Sequence, residues 1–222
     1  MRVIIFTDLE NFRESLWKID SSRQVDIKHF HHNLFEYVVN KLNLKKYNPH
    51  FVRAYIYTGE YTDSLISKIK SELEREKVDS KDRSKIESFI TRIKKRQENQ
   101  QKMMDFSVYC NSLEIKTTPL HYTPNEAINE RGIFQKGIDV QLAVDLVHHA
   151  YEDNFDTAIV CSGDIDLLGS IELAKMKGKK IVLVSHTDMI SKNMIKGCDY
   201  FFMLEKLTSE ELDGLSTKFT KN

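Results

Sequence analysis

Thr157-Ala158-Ile159-Val160-Cys161-Ser162-Gly163-Asp164-Ile165-Asp166-Leu167 decides the fold class. Five residues suited to a buried strand run into Ser-Gly-Asp and then into a helical pattern. In it Leu167, Ile171 and Ala174 face inward until Gly178 stops the helix. Lys180–Ser185 then supplies a second apolar run, so strand, helix and strand follow one another as in a parallel crossover. Further candidate strands are Val3–Thr7, Phe51–Tyr57, Leu113–Thr117 and Tyr200–Met203. Between the first two, Ile27, Phe30, Leu34, Tyr37, Val38 and Leu42 mark one helical stripe. Another helix follows Gly137, with Ile138, Leu142 and Leu146 at four-residue steps, and Thr208-Ser209-Glu210-Glu211 matches a capping box. The alternation predicts an α/β fold: a doubly wound, mostly parallel sheet flanked by helices.

Composition agrees. The chain has 222 residues, of which 41% are hydrophobic, enough for a core and too many for dominant disorder. Only 8 Gly and 3 Pro occur, which disfavours a turn-rich sandwich or barrel. Cys110, Cys161 and Cys198 form no C-x-x-C pair and no disulfide framework, which fits a reducing compartment. The apolar run Val3-Ile4-Ile5-Phe6 is stopped by Asp8 before it reaches signal-peptide length, and no stretch approaches a membrane span. A cytoplasmic protein with no membrane partner is expected.

Residues 63–105 read differently. Of these 43 residues 21 are charged, 12 basic and 9 acidic, with no Gly or Pro. Two helices, or one broken near Val78–Ser84, are predicted, forming an extended helical region over 63–112 within a domain spanning 1–205. Residues 206–222 are a C-terminal helix and tail. Ile86, Phe89, Ile90 and Ile93 form an apolar stripe, while Lys94 through Lys102 is wholly polar and is expected to project into solvent. The stripe admits a homodimer seam. The cluster Arg92, Lys94, Lys95 and Arg96 admits an RNA-gripping arm or a plain solvated face.

The 33 Lys+Arg balance the 33 Asp+Glu, but not locally. From Gly137 to Ala174 there are eight acids and no Lys or Arg, whereas Lys175 to Lys206 carries seven lysines against three acids. Asp164 and Asp166 sit where a strand ends and a helix begins. Asp8 holds the same place after the first strand, with Asn11 three residues on. Ligands of open parallel sheets bind at that carboxyl edge. If the two strands are neighbours, Asp8 and Asp164 converge on one crevice, and Asp139 reaches it from the start of its helix. Asp145 lies six residues further, about 240° around a regular helix, and cannot face the same way. Taken singly, Asp164 reads as an N-cap and Asp8 as an Asx-turn former. Together, uncompensated carboxylates repel one another unless a cation sits among them, and a hard divalent ion such as Mg²⁺ suits all-oxygen ligands. Lys136, Lys175, Lys177, Lys179, Lys180, Lys192 and Lys196 are candidates for a phosphate-attracting rim, or for solvated faces.

Three segments carry a family likeness: Asp8-x-x-Asn11, Lys136-Gly137-Ile138-Asp139-Val140-Gln141-Leu142-Ala143-Val144-Asp145, and Ser162-Gly163-Asp164-Ile165-Asp166-Leu167. With Cys198-Asp199-Tyr200-Phe201 near the end, the chain resembles the NYN domain family of PIN-like ribonucleases over residues 1 to about 205. The resemblance implies a PIN-like fold and Mg²⁺- or Mn²⁺-dependent hydrolysis of RNA phosphodiester bonds, endonucleolytic in mode. It maps the metal acids onto Asp8, Asp139, Asp164 and Asp166, and the family asparagine onto Asn11, all as catalytic residues. Asp145 matches a frequent family acid. Leu167 departs from the family's usual Phe, and the long helical insertion is atypical.

The alternative from another class is a catalytically inactive RNA-binding or scaffold protein on the same fold, for which carboxylates paired with lysines would speak. A metal-dependent phosphatase is a second enzymatic alternative. His29 and His32 lack a third metal ligand, and no G-x-x-x-x-G-K-[ST] phosphate loop occurs.

Overall fold

The structure is a computed structural model that describes residues 1–75, 80–123 and 132–218, with side chains described for these except 72–75 and 80–83. The chain elements are β1 (Arg2–Asp8), α1 (Leu9–Ile19), β2 (Arg23–Val25), α2 (Phe30–Lys41), β3 (His50–Glu60), α3 (Asp63–Arg75), α4 (Ser80–Ser107), β4 (Leu113–Pro119), β5 (His121–Tyr122) and β6 (Ile133–Phe134). They continue as α5 (Ile138–Tyr151), β7 (Thr157–Cys161), α6 (Leu168–Met176), β8 (Lys180–Ser185), α7 (Lys192–Gly197), β9 (Tyr200–Met203), α8 (Ser209–Leu215) and β10 (Ser216–Lys218).

All six candidate strands enter one sheet, in the order β4-β3-β1-β7-β8-β9. From β3 through β9 the pairs are parallel. The chain winds outward from β1 to β3 and β4, then restarts at β7 on the other side of β1 and winds to β8 and β9. The two central strands meet with Val3 opposite Thr157 and Thr7 opposite Cys161. Their apolar runs are buried on both faces, as crossover helices require: Ile4, Ile5, Phe6, Ile159, Val160, Val182 and Leu183 have no more than 1% exposure.

The chain forms two compact units, the first comprising Met1–Tyr57, Ser112–Glu114 and Asp139–Asn222. In this unit α5 buries Leu142 and Leu146, and α6 buries Ile171 and Ala174. The predicted capping box is formed, with Thr208 and Glu211 each bonding the other's backbone N–H. The C-terminal segment is more than an appended helix. β10 pairs antiparallel with β2, and buried Arg23 donates to Ser216 and pairs with Asp213.

The second unit comprises Thr58–Asn111 and Ile115–Ile138. α3 ends at Arg75 and α4 begins at Ser80; of the break expected near Val78–Ser84, residues 80–84 are helical and 78–79 lie outside the described residues. The apolar stripe is consumed within the chain: Phe89 and Ile93 are buried with Leu65, Ile66, Ile69 and Tyr122, and Ile86 and Ile90 pack against them. These contacts within the chain occupy the stripe that admitted a dimer seam. The polar middle of α4 is exposed as expected except at Gln97 and Gln100. Gln100 donates to the Gly59 carbonyl and accepts from the Tyr61 N–H, Gln97 donates to Asp63, and Arg96 donates to the Tyr61 hydroxyl. A three-residue spacing puts Gln97 and Gln100 on one side of the helix, where amides latch it down as apolar groups would.

Candidate metal centre

The carboxyl ends of β1 and β7 flank the point where the winding direction reverses, the place where open α/β sheets bind ligands. Each strand ends in an aspartate cap. Asp8 accepts from the Asn11 N–H at 3.2 Å at the start of α1. Asp164 accepts from the Asp166 N–H at 3.0 Å at the start of a short 3₁₀ turn. The N-cap reading of Asp164 holds, while Asp8, expected as an Asx-turn former, is the N-cap of α1; neither bond competes with a role in the crevice. A cap occupies Oδ1 of Asp164 and leaves Oδ2.

Three carboxylates converge. Asp139, in the first turn of α5, and Asp164 and Asp166, from the β7 loop, offer oxygens that all lie within 4.8 Å of one another. Asp139 and Asp164 are half-buried and Asp166 is exposed. Among the described residues no lysine or arginine pairs with any of the three. Oxygens bound to one Mg²⁺ or Mn²⁺ at about 2.1 Å can be at most about 4.2 Å apart. Cis oxygens on such an ion lie about 3.0 Å apart, so the trio would draw together by rotamer adjustment to share one ion. The donor set is hard and anionic, which suits these ions and not a soft metal.

Asp8 lies deeper than expected and outside this trio, at 6% exposure. Burial pushes its carboxyl up to about 6; the Asn11 N–H opposes this, and the charges of Glu10 and Asp164 add to it. Asn11 spends its side-chain carbonyl on the Gly163 N–H at 2.8 Å, and so ties the first turn of α1 to the β7 loop. Its role in the structure is to hold that loop, with the amide Nδ2 left over.

The loop has little freedom. A Cβ at Gly163 would overlap the Met189 carbonyl and approach Ser185 Oγ, which itself lies 3.3 Å from Ser15 Oγ. Ser162 Oγ accepts from the Asp164 N–H at 3.2 Å. Glycine is required here for close backbone approach, not for a left-handed turn.

Asp145 is held elsewhere, as the helix rotation predicts. It accepts from the hydroxyl of Tyr57 at 2.8 Å, and Tyr57 is the β3 residue in register with Asp8. Tyr57 is fully buried; burial first and the bond to Asp145 second keep its phenol firmly protonated. Sequence reasoning missed Tyr57. Its only signal was its place at the end of a candidate strand next to the first.

The expected lysine rim is largely corrected. α6 leaves the carboxyl edge and runs back to the amino edge, so Lys175, Lys177, Lys179 and Lys180 lie at the end remote from the acids. There Lys179 pairs with Asp153, Lys180 with Asp199, Lys177 covers the Tyr151 ring, and Lys175 donates to the Gly197 carbonyl. Lys192 and Lys196 belong to α7, which follows the loop at the carboxyl end of β8. Lys136 lies over the Phe134 ring in the second unit. One further cation was overlooked: Arg13 on α1 grips both oxygens of Glu10 at 2.8 Å.

A family model for the NYN domain matches residues 75–205, which take in Asp139, Asp164 and Asp166 and begin after Asp8 and Asn11. No curated protein matches the chain. The crystal structure of a protein of unknown function from Vibrio parahaemolyticus is similar with a TM-score of 0.54, over 97% of this chain and 96% of that one, at 17% sequence identity. That likeness bears on the fold alone. No helix among the described residues is long and apolar enough to cross a membrane.

Proposed function

The chain belongs to the NYN domain family, a PIN-like ribonuclease family, and from that premise we propose that it hydrolyses RNA phosphodiester bonds endonucleolytically with Mg²⁺ or Mn²⁺. The observation that carries this reading is the trio Asp139, Asp164 and Asp166, three acidic groups gathered at the switch point without a counter-charge. Like charges held this close cost free energy, and a fold keeps them where something binds. A divalent ion there supplies charge neutralisation for the phosphate and a more acidic water.

The chain's own groups do the rest. Asp139, Asp164 and Asp166 hold the ion. Asp8, buried beside Asp164 with its carboxyl raised to about 6, is placed to exchange a proton near neutral pH. Asn11 holds the Gly163–Asp164 backbone, and its Nδ2 is a donor for a phosphate oxygen. The inactive-scaffold alternative expects the acids to be rescued by lysines, and no such pairing occurs among the described residues.

The test is a covalently closed circular RNA, which only an endonuclease can open. With Mn²⁺ the purified protein should linearise the circle, and with chelator or with Asp164→Asn it should not. Linearisation by a folded Asp164→Asn chain at the wild-type rate overturns the proposal. Release of phosphate from a monoester with the circle intact would favour the phosphatase.

A further inference from the structure

The second unit carries a charge pattern that the acidic centre does not use. At 100° per residue, Lys85, Arg92, Lys95, Arg96 and Lys102 fall within about 120° of the circumference of α4. All five are exposed. The described acids of the same helix, Glu87, Glu98 and Asp105, fall within about 20° of one another on a different line. The helix thus has three faces: one apolar and packed against α3, one carrying these acids together with the exposed Lys94, and one basic with no described acid on it.

The basic face extends about 25 Å from Lys85 to Lys102. Its N-terminal half holds a shallow depression of about 420 Å³ lined by Ser84, Lys85, Ser88 and Arg92, two hydroxyls beside two cations. Two guanidinium groups are pre-oriented. Arg92 lies over the Phe89 ring at 6.0 Å, and Arg96 donates to the Tyr61 hydroxyl at 3.1 Å. A cation already ordered by its own chain loses less freedom on meeting a phosphate.

We infer that this face of α4 is a track for consecutive backbone phosphates of an RNA strand. The choice of RNA among polyanions rests on the ribonuclease reading; the track itself rests on the segregation of charge. Packing uses up the apolar stripe of α4 on its other side, so the helix has no second apolar face to insert into a lipid surface. The cations contact phosphate, not base edges, so the track grips without reading sequence.

The experiment measures binding of a fluorescein-labelled single-stranded RNA by anisotropy, in chelator so that no cleavage intervenes, over a range of salt concentrations. Three chains are compared: wild type, the triple variant Arg92→Gln/Lys95→Gln/Lys102→Gln, and a charge-matched control, Lys18→Gln/Lys45→Gln/Lys206→Gln, whose residues are exposed in the first unit. The triple variant should bind at least tenfold more weakly at low salt. Its slope of log affinity against log salt should be shallower by about 2, roughly 0.7 per lost phosphate contact. The control should keep the wild-type slope. Equal losses in both variants, an unchanged triple variant, or binding to phosphatidylserine vesicles in place of RNA each overturn the track. Lys95→Glu alone gives a second reading if the triple variant melts early. A wild type that binds RNA in chelator but never opens the circle with Mn²⁺ sinks the nuclease and leaves the track standing. Cleavage with an unchanged triple variant does the reverse.

Discussion

The two edges of one sheet treat their aspartates in opposite ways. At the amino edge, Asp156 accepts from the Arg2 backbone N–H at 2.6 Å and from its guanidinium at 2.9 Å, while Asp153 pairs with Arg2 and Lys179. These partners hold both carboxyls below the usual range, chiefly Arg2 for Asp156 and Lys179 followed by Arg2 for Asp153. At the carboxyl edge, Asp139, Asp164 and Asp166 crowd together without a cation, and burial drives Asp8 upward. The same residue type thus closes the sheet at one end and keeps it electrostatically unsatisfied at the other. Acids in the first setting contribute to stability; those in the second detract from it and are suited to binding.

Exchanging one acid at each edge is the strongest way to break this contrast. Asp139→Asn should lower RNA cleavage roughly 10³-fold, the scale of losing a group that stabilises charge at a reacting centre, with no fall in melting temperature. Asp156→Asn should leave cleavage within about twofold. Equal activity losses at the two edges would remove the distinction.

Next in size is Asp8. Its carboxyl titrates near 6 in the fold and near the ordinary value of roughly 4 in the unfolded chain. Between these values the folded chain binds the extra proton, so the contribution of Asp8 to the stability of the metal-free protein should rise as pH falls from 7 to 4, and that gain is lost as pH rises through 6. Asp8→Asn keeps a capping side chain and removes the buried charge, so it should be more stable than wild type at pH 7.5 by about 2 to 3 kcal/mol. Urea titrations at pH 7.5 and 4.5 check it; equal stabilities of the two chains at both values would contradict the buried ionised state.

Tyr57→Phe sharpens the comparison within the carboxyl edge, because Asp145 is an acid there with a hydroxyl partner. Removing that donor should cost about 1.5 kcal/mol in chemical denaturation. The smallest effect belongs to the stability of Asp156→Asn. Its side chain is 42% exposed. The loss should be about 1 kcal/mol at low salt, shrinking in 1 M salt, and fading in wild type as acid protonates the group.

Much of this was legible because the sheet is buried on both faces. Runs such as Ile159–Val160–Cys161 need no partner to declare themselves strands, and the acids at their ends inherit a fixed edge. Counting charge by segment isolated residues 137–174, and with them Asp139, Asp164 and Asp166. What stayed hidden depends on direction and depth. Lys175 and Lys179 adjoin the acids in sequence but lie a helix length away, because α6 returns to the amino edge. Asp8 and Asp164 look equivalent as strand-end aspartates, yet one is buried and the other half-buried. Gln97 and Gln100 read as solvated until the Asp63 carboxylate, the Gly59 carbonyl and the Tyr61 N–H are placed opposite them. Ser216–Lys218 has no strand pattern of its own and becomes β10 by pairing with β2.

The central claim is that one divalent ion sits among Asp139, Asp164 and Asp166. Crystals of the full chain grown with Mn²⁺ test it directly through the anomalous difference map. A peak within bonding distance of these three carboxylates is the predicted result. A map with manganese ordered elsewhere and none among the three would contradict it.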